Sequence, residues 1–167
     1  MKEIETIDPS DRAYSDEFGM DDNDEVAPVG WSLKGERCYA QKKAFRKARY
    51  NTIAALNLGL LFAPFLFEGY LNTAIYETYI ERILAPALRP GMVFIIDNAR
   101  FHKSQKIIDL IEAVGCRVLF LPPYSPDLNP IEHQWTAVKQ AIRRATDHIK
   151  DFYEAATHAL GEMCKAK

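Results

Sequence analysis

Residues 92–121, MVFIIDNARFHKSQKIIDLIEAVGCRVLFL, read in order as strand, helix and strand. Met92–Ile96 is a short unbroken apolar run set between Pro90-Gly91 and Asp97, the pattern of a strand buried on both faces. Ser104 stands where an N-cap belongs. Ile107, Leu110, Ile111 and Val114 then recur at i, i+3, i+4 and i+7, and Gly115 closes the helix. Arg117–Leu121 is a second strand, so the unit implies a right-handed parallel crossover. The helix carries the chain away from Asp97 by about 16 Å at 1.5 Å per residue. The returning strand covers about 20 Å at 3.3 Å per residue. The two lengths nearly match. A loop rich in proline (Pro122, Pro123, Pro126, Pro130) therefore emerges at the sheet edge where Asp97 lies.

Working outward from this unit, a first strand is expected over Arg12–Phe18, followed by an acidic loop of Asp21, Asp22, Asn23, Asp24 and Glu25. A second is expected near Arg37–Gln41, after the Lys34-Gly35 turn. Residues 50–67, YNTIAALNLGLLFAPFLF, carry no charge. A membrane helix wants about 20 predominantly apolar residues. This run is shorter and interrupted by Asn57, Gly59 and Pro64, so two buried strands joined by a turn are the better reading, starting from Thr52. Asn72 caps a helix bearing Ile75, Tyr79 and Ile83 on one face, which Pro86 and Pro90-Gly91 stop. A helix from Pro130 to about Arg144 and a weaker one beyond it complete the chain. Strands first, then alternating strands and helices, make a mixed sheet with helices on its faces.

The 167 residues suit one domain, and 48% apolar against 26% charged residues can bury a core. The formal net charge of −2 excludes a generic basic nucleic-acid coat. That average hides an asymmetry. Residues 1–25 hold ten acids and two bases, whereas residues 26–167 hold thirteen acids and nineteen bases. Cys38, Cys116 and Cys164 are scattered and odd in number, so no disulfide framework is expected and a reducing cytoplasm is. The acidic, polar N-terminus is wrong for a secretory or mitochondrial signal, and no association with a membrane is expected.

Three carboxylates converge in this scheme. Asp97 ends its strand at the carboxyl edge, where open α/β sheets place ligands. Glu132 opens the helix after the Pro-rich loop and can face it. Asp16 joins them if the first strand runs parallel to 92–97. Glu17 competes with Asp16, but successive strand residues point to opposite faces, so only one can join. Acids gathered this way call for a hard divalent cation, Mg²⁺ or Mn²⁺. Each residue also has a structural reading. Asn129, Pro130 and Glu132 fit an N-cap, N1 and the N3 of a capping box, and Asp97-Asn98 fits an Asx turn.

Asp97-Asn98-Ala99-Arg100-Phe101-His102-Lys103-Ser104, followed by the run LPPYSPDLNPIE over residues 121–132, resembles the catalytic domain of mariner-like DDE transposases, in the bacterial insertion-sequence branch. Thirty-four residues separate Asp97 from Glu132, and the segments 14–19 (YSDEFG) and 30–37 (GWSLKGER) resemble the family's first catalytic strand and its sequel. The resemblance covers about residues 12–146 of a single domain, 1–167. It implies a ribonuclease H-like mixed five-stranded sheet with helices on both faces. It also implies Asp16, Asp97 and Glu132 as the catalytic, metal-binding triad. Two ions about 3.5–4 Å apart would serve the attacking and leaving oxygens of a phosphodiester. The implied reaction is DNA strand cleavage and transfer of the freed 3′ end, commonly at a TA step.

The implied partners are transposon-end and target DNA, a second copy of the chain in the active complex, and a separate helix-turn-helix protein. That last expectation arises because at most eleven residues precede the first strand. The resemblance further implies a bacterial cytoplasmic location, at the nucleoid when acting. DNA-binding candidates are Lys42, Lys43, Arg46, Lys47 and Arg49 from a cluster of seven bases over 34–49 that also holds Lys34 and Arg37. His102 and Lys103 beside Asp97, and Lys139 and Arg143 on the Glu132 helix, complete the set. A solvated charged face is the competing account of the last two, and a capping or loop histidine that of His102. Trp135 reads as core, in one stripe with Ile131, Val138 and Ile142. Two other functions stay open at this point: an inactive fragment that regulates by binding DNA or a transposase, and a ribonuclease H or junction resolvase sharing the fold.

Overall fold

The computed structural model describes residues 2–22, 31–39, 48–123 and 125–164. A short helix α1 (Lys2–Glu5) leads into β1 (Arg12–Asp21), which pairs antiparallel with β2 (Arg49–Asn57). β3 (Leu60–Glu68) returns beside β2, so the uncharged run forms a hairpin. Its tight turn puts both Leu58 and Gly59 at positive φ, 48° and 79°. That conformation suits glycine and strains leucine. Among the described residues no helix is long and apolar enough to cross a membrane.

β4 (Val93–Ile96) adds to the other side of β1 in parallel, and β5 (Arg117–Phe120) adds to β4 in parallel. The strand order is β3-β2-β1-β4-β5, a mixed five-stranded sheet. The outermost strand β3 contains Pro64 and a positive-φ Ala63, and the ladder to β2 slips there, between Ile53 and Ala55. Proline lacks an N–H for a ladder bond, so an edge strand with a bulge is where it fits.

Helices cover both faces because the strands alternate. Ala13, Ile53, Ala55, Phe94 and Ile96 meet α2 (Thr73–Tyr79), the wide turn at Ile80–Leu84 and α3 (Gln105–Ala113). Phe18, Met20, Ala54 and Leu56 meet α4 (Glu132–Thr146) and α5 (Phe152–Met163). The stripe Ile131, Trp135, Val138 and Ile142 is buried, as its spacing predicts. Asn72 caps α2 by accepting the Ile75 N–H at 3.0 Å. Ser104 holds the N-cap position of α3, but its hydroxyl donates to Glu77 instead.

Two expectations need correction. Residues 37–39 form no strand, and 40 and 41 lie outside the described residues. The strand after β1 is instead the one that starts at Arg49. The last long helix starts at Glu132, not Pro130, and no capping box forms. The Glu132 N–H bonds the Asn129 backbone carbonyl, while Asn129 Oδ1 is buried with no partner among the described residues.

The packing predicts a contrast. Ile111→Ala empties a fully buried position and should cost about 2–5 kcal/mol in urea unfolding. Leu60→Ala, on the exposed side of the hairpin, should stay within about 0.5 kcal/mol.

Candidate active site

The parallel register sets the site. Arg12, Ala13 and Tyr14 pair with Val93, Phe94 and Ile95, so two residues further on Asp16, midway along β1, stands beside Asp97, just past the end of β4. Glu132 opens α4 at the same edge. All three line one cavity of about 530 Å³, with Asn98, Ala99, Arg100, Lys103, Leu121, Pro122, Pro123, Ser125 and Asn129. The Pro-rich loop thus forms a wall of the cavity that Asp97 enters.

Each carboxylate has a different setting. Asp16 is 9% exposed, on the α4 face, and its Oδ2 accepts the Trp135 indole N–H at 2.9 Å. Burial pushes its pKa up to about 6; the Trp135 bond opposes this, and Glu132 and Asp97 add to it. Asp97 is half-exposed, and its Oδ1 meets the His102 Nδ1 at 2.5 Å and the Ala99 N–H at 2.9 Å. The second bond is the Asx turn foreseen for Asp97-Asn98. His102 is the main cause that holds the Asp97 carboxyl below the usual range. Glu132 is exposed to the cavity.

Glu17 faces the opposite side from Asp16, as strand alternation requires. Burial, then the nearby Asp16 and Asp97, push its pKa up to about 8. Its Oε2 stands 3.8 Å from His102 Nε2, and both atoms are buried with no hydrogen bond among the described residues.

Three carboxylates with no thiol are the donor chemistry of a hard divalent cation. Their convergence on one cavity, where the buried Asp16 already resists charging, fits such an ion. Among the described residues no three His, Cys, Asp or Glu side chains stand close enough to hold one ion.

The basic residues separate into groups. Lys103 is exposed and lines the cavity. Arg100 does the same. It was missed as a site residue, although it stands in the segment 97–104 and three residues from Lys103. His102 is 0% exposed between Tyr76 and Phe101, so it cannot touch a phosphate, and its expected DNA contact is corrected. Lys139 lies over the Phe18 ring at 5.3 Å, and Arg143 is half-buried on the same helix. Arg49 pairs with Asp21 at 3.4 Å and lies across Gly19, where any Cβ would collide with its guanidinium. Lys42, Lys43, Arg46 and Lys47 lie outside the described residues. Trp135 is core, as expected, but its link to Asp16 was not foreseen.

Comparison with known proteins agrees with this geometry. The profile of the family described as DDE superfamily endonuclease matches residues 11–154. The Tcb2 transposase of Caenorhabditis briggsae is 31% identical over 100 residues, which is 53% of this chain and 37% of that protein. An uncharacterized 39 kDa protein of insertion element IS630 from Shigella sonnei is 27% identical over 136 residues, 78% of this chain and 38% of that one. The chain thus spans under two fifths of these relatives' length. The Mos1 transposase paired-end complex with left transposon end superposes with a TM-score of 0.69 at 20% identity, covering 99% of this chain and 51% of that one. The same mariner paired-end complex with Mg gives 0.59 at 19%, covering 98% and 56%. At these identities the likeness is one of fold, the ribonuclease H-like core.

Both raised acids tie stability to pH. An acid whose folded pKa lies above its ordinary value stabilises the fold below that ordinary value, and loses the contribution as pH rises through the folded one. Metal-free protein should therefore lose stability in chelator as pH rises from about 4 to about 8. Glu17→Gln should flatten the upper part of that fall in urea titrations at fixed pH; an unchanged slope would contradict the assignment.

Proposed function

The chain belongs to the DDE superfamily endonucleases, and from that premise we propose that it cleaves DNA strands and transfers the freed 3′ ends, as the catalytic part of an insertion-sequence transposase. The observation that carries this reading is the single cavity shared by Asp16, Asp97 and Glu132. Two Mg²⁺ or Mn²⁺ ions bound there would supply the Lewis acidity that phosphodiester cleavage needs. Asp16 and Asp97, from adjacent parallel strands, and Glu132, from α4, would hold them. Arg100 and Lys103 at the rim suit the phosphate backbone, positioning DNA without reading its sequence. Their charge makes binding salt-sensitive. Lys139 and Arg143 extend the basic track along α4, and the cluster over residues 34–49 offers a second phosphate-binding surface. The remaining Pro-rich wall restricts how a strand enters the site.

Transposon ends and a target, commonly a TA step, are the assigned DNA substrates. Selection of terminal repeats is assigned to a separate helix-turn-helix module, with two copies of this chain in the active complex at the bacterial nucleoid. The reading as a non-catalytic regulator is not favoured, because all three carboxylates are present and face one space.

Purified protein with Mn²⁺ should nick supercoiled DNA, and Asp97→Asn, Asp16→Asn and Glu132→Gln should each reduce nicking to background. Nicking that survives Asp97→Asn would overturn the proposal. Preference for an RNA–DNA hybrid over duplex DNA would indicate a ribonuclease H instead. Absence of Mn²⁺ binding by calorimetry would favour the regulator.

A further inference from the structure

The loop after β4 returns on itself at once. Ala99 donates its N–H to Asp97 Oδ1, a single turn follows at Arg100–His102, and the His102 N–H bonds the Ala99 carbonyl at 3.1 Å. The fifth residue after Asp97 is thereby brought beneath it. The His102 ring is fully buried, with ring centroids of Tyr76 and Phe101 each 4.3 Å away. Its Nδ1 reaches Asp97 Oδ1, and its Nε2 faces Glu17 on the far side. Both hydrogen bonds to Asp97 fall on Oδ1, and among the described residues Oδ2 has none.

We propose that His102 is a positioning residue: its ring, locked by Tyr76 and Phe101, donates Nδ1–H to Asp97 Oδ1 and fixes that carboxylate with Oδ2 left for a divalent cation. The proposal rests on the metal-dependent reading above. Its physical basis is that a carboxylate at a strand end, half-exposed, rotates freely unless a donor holds it. A buried ring between two aromatic neighbours is such a donor, already ordered when the fold forms. Outer-shell partners of this kind commonly change metal affinity by about 10–100-fold when removed. The ring touches no cavity space of its own, so it acts only through Asp97.

The test compares the wild-type chain with His102→Leu and His102→Asn, the latter restoring an N–H donor near the Nδ1 position. Mn²⁺ affinity is read by calorimetry, and folding by near-ultraviolet circular dichroism. His102→Leu should weaken Mn²⁺ binding by about 10–100-fold with the fold retained, and His102→Asn should recover most of it. Unchanged affinity in His102→Leu, or no recovery in His102→Asn, overturns the proposal while leaving the metal reading intact. Wild-type protein that binds no Mn²⁺ overturns both. Should His102→Leu fail to fold, ¹⁵N spectra of the wild-type ring decide: a protonated Nδ1 supports the proposal, and a bare Nδ1 overturns it.

Discussion

Parallel pairing of β1 with β4 is the constraint on which the rest of the molecule depends. Its register, Tyr14 opposite Ile95, decides that Asp16, midway along β1, comes to stand beside Asp97, just past the end of β4. A parallel neighbour requires a crossover or an equivalent detour. Here the detour is the β2–β3 hairpin, α2 and the wide turn that follows, which together return the chain to the amino end of β4. Those elements also cover one face of the sheet, so the connection that permits the pairing supplies half of the core. The other half comes from α4 and α5, and α4 begins with Glu132. The core and the acidic edge are built by the same segments.

Concentrating acids at a sheet edge opposes folding, and the structure manages this locally. Asp16 is buried yet bonded to Trp135, and Asp97 is bonded to His102 and the Ala99 N–H. Donors from the second layer of side chains thus replace, in part, the positive charge that the cavity calls for. Trp135 is instructive because one side chain serves both ends of the scale. Its ring packs on Phe18 at 4.7 Å in the apolar core, and its indole N–H steadies a carboxylate. Arg100 and Lys103 then set cations beside the acids without neutralising them by a direct bond.

The signals that were legible in the sequence were those with a period or a stop. The apolar run ending at Asp97, the helix before Gly115 and the cap at Asn72 all follow from local chemistry. So does the uncharged hairpin, whose turn lies where Asn57 and Gly59 interrupt two apolar runs. What was not legible depends on distant partners. Residues 37–39 follow a turn signal, but among the described residues they gain no strand to pair with. Asn129, Pro130 and Glu132 match a capping box in spacing, yet α4 begins at Glu132 and the Ile131 before it is fully buried. His102 looked like a phosphate contact because it is polar and sits among basic residues. Its burial is set by Tyr76, which lies 26 positions earlier and on another helix.

The bend at Ala63-Pro64 has an effect beyond the hairpin. β3 is the outer rim of the sheet, and its free side would otherwise present a straight row of donors and acceptors to any extended chain. Such rims seed aggregation. A missing N–H and a reversed backbone twist midway along the strand spoil the template at its centre. Growth of the sheet by strand addition is therefore discouraged on this side.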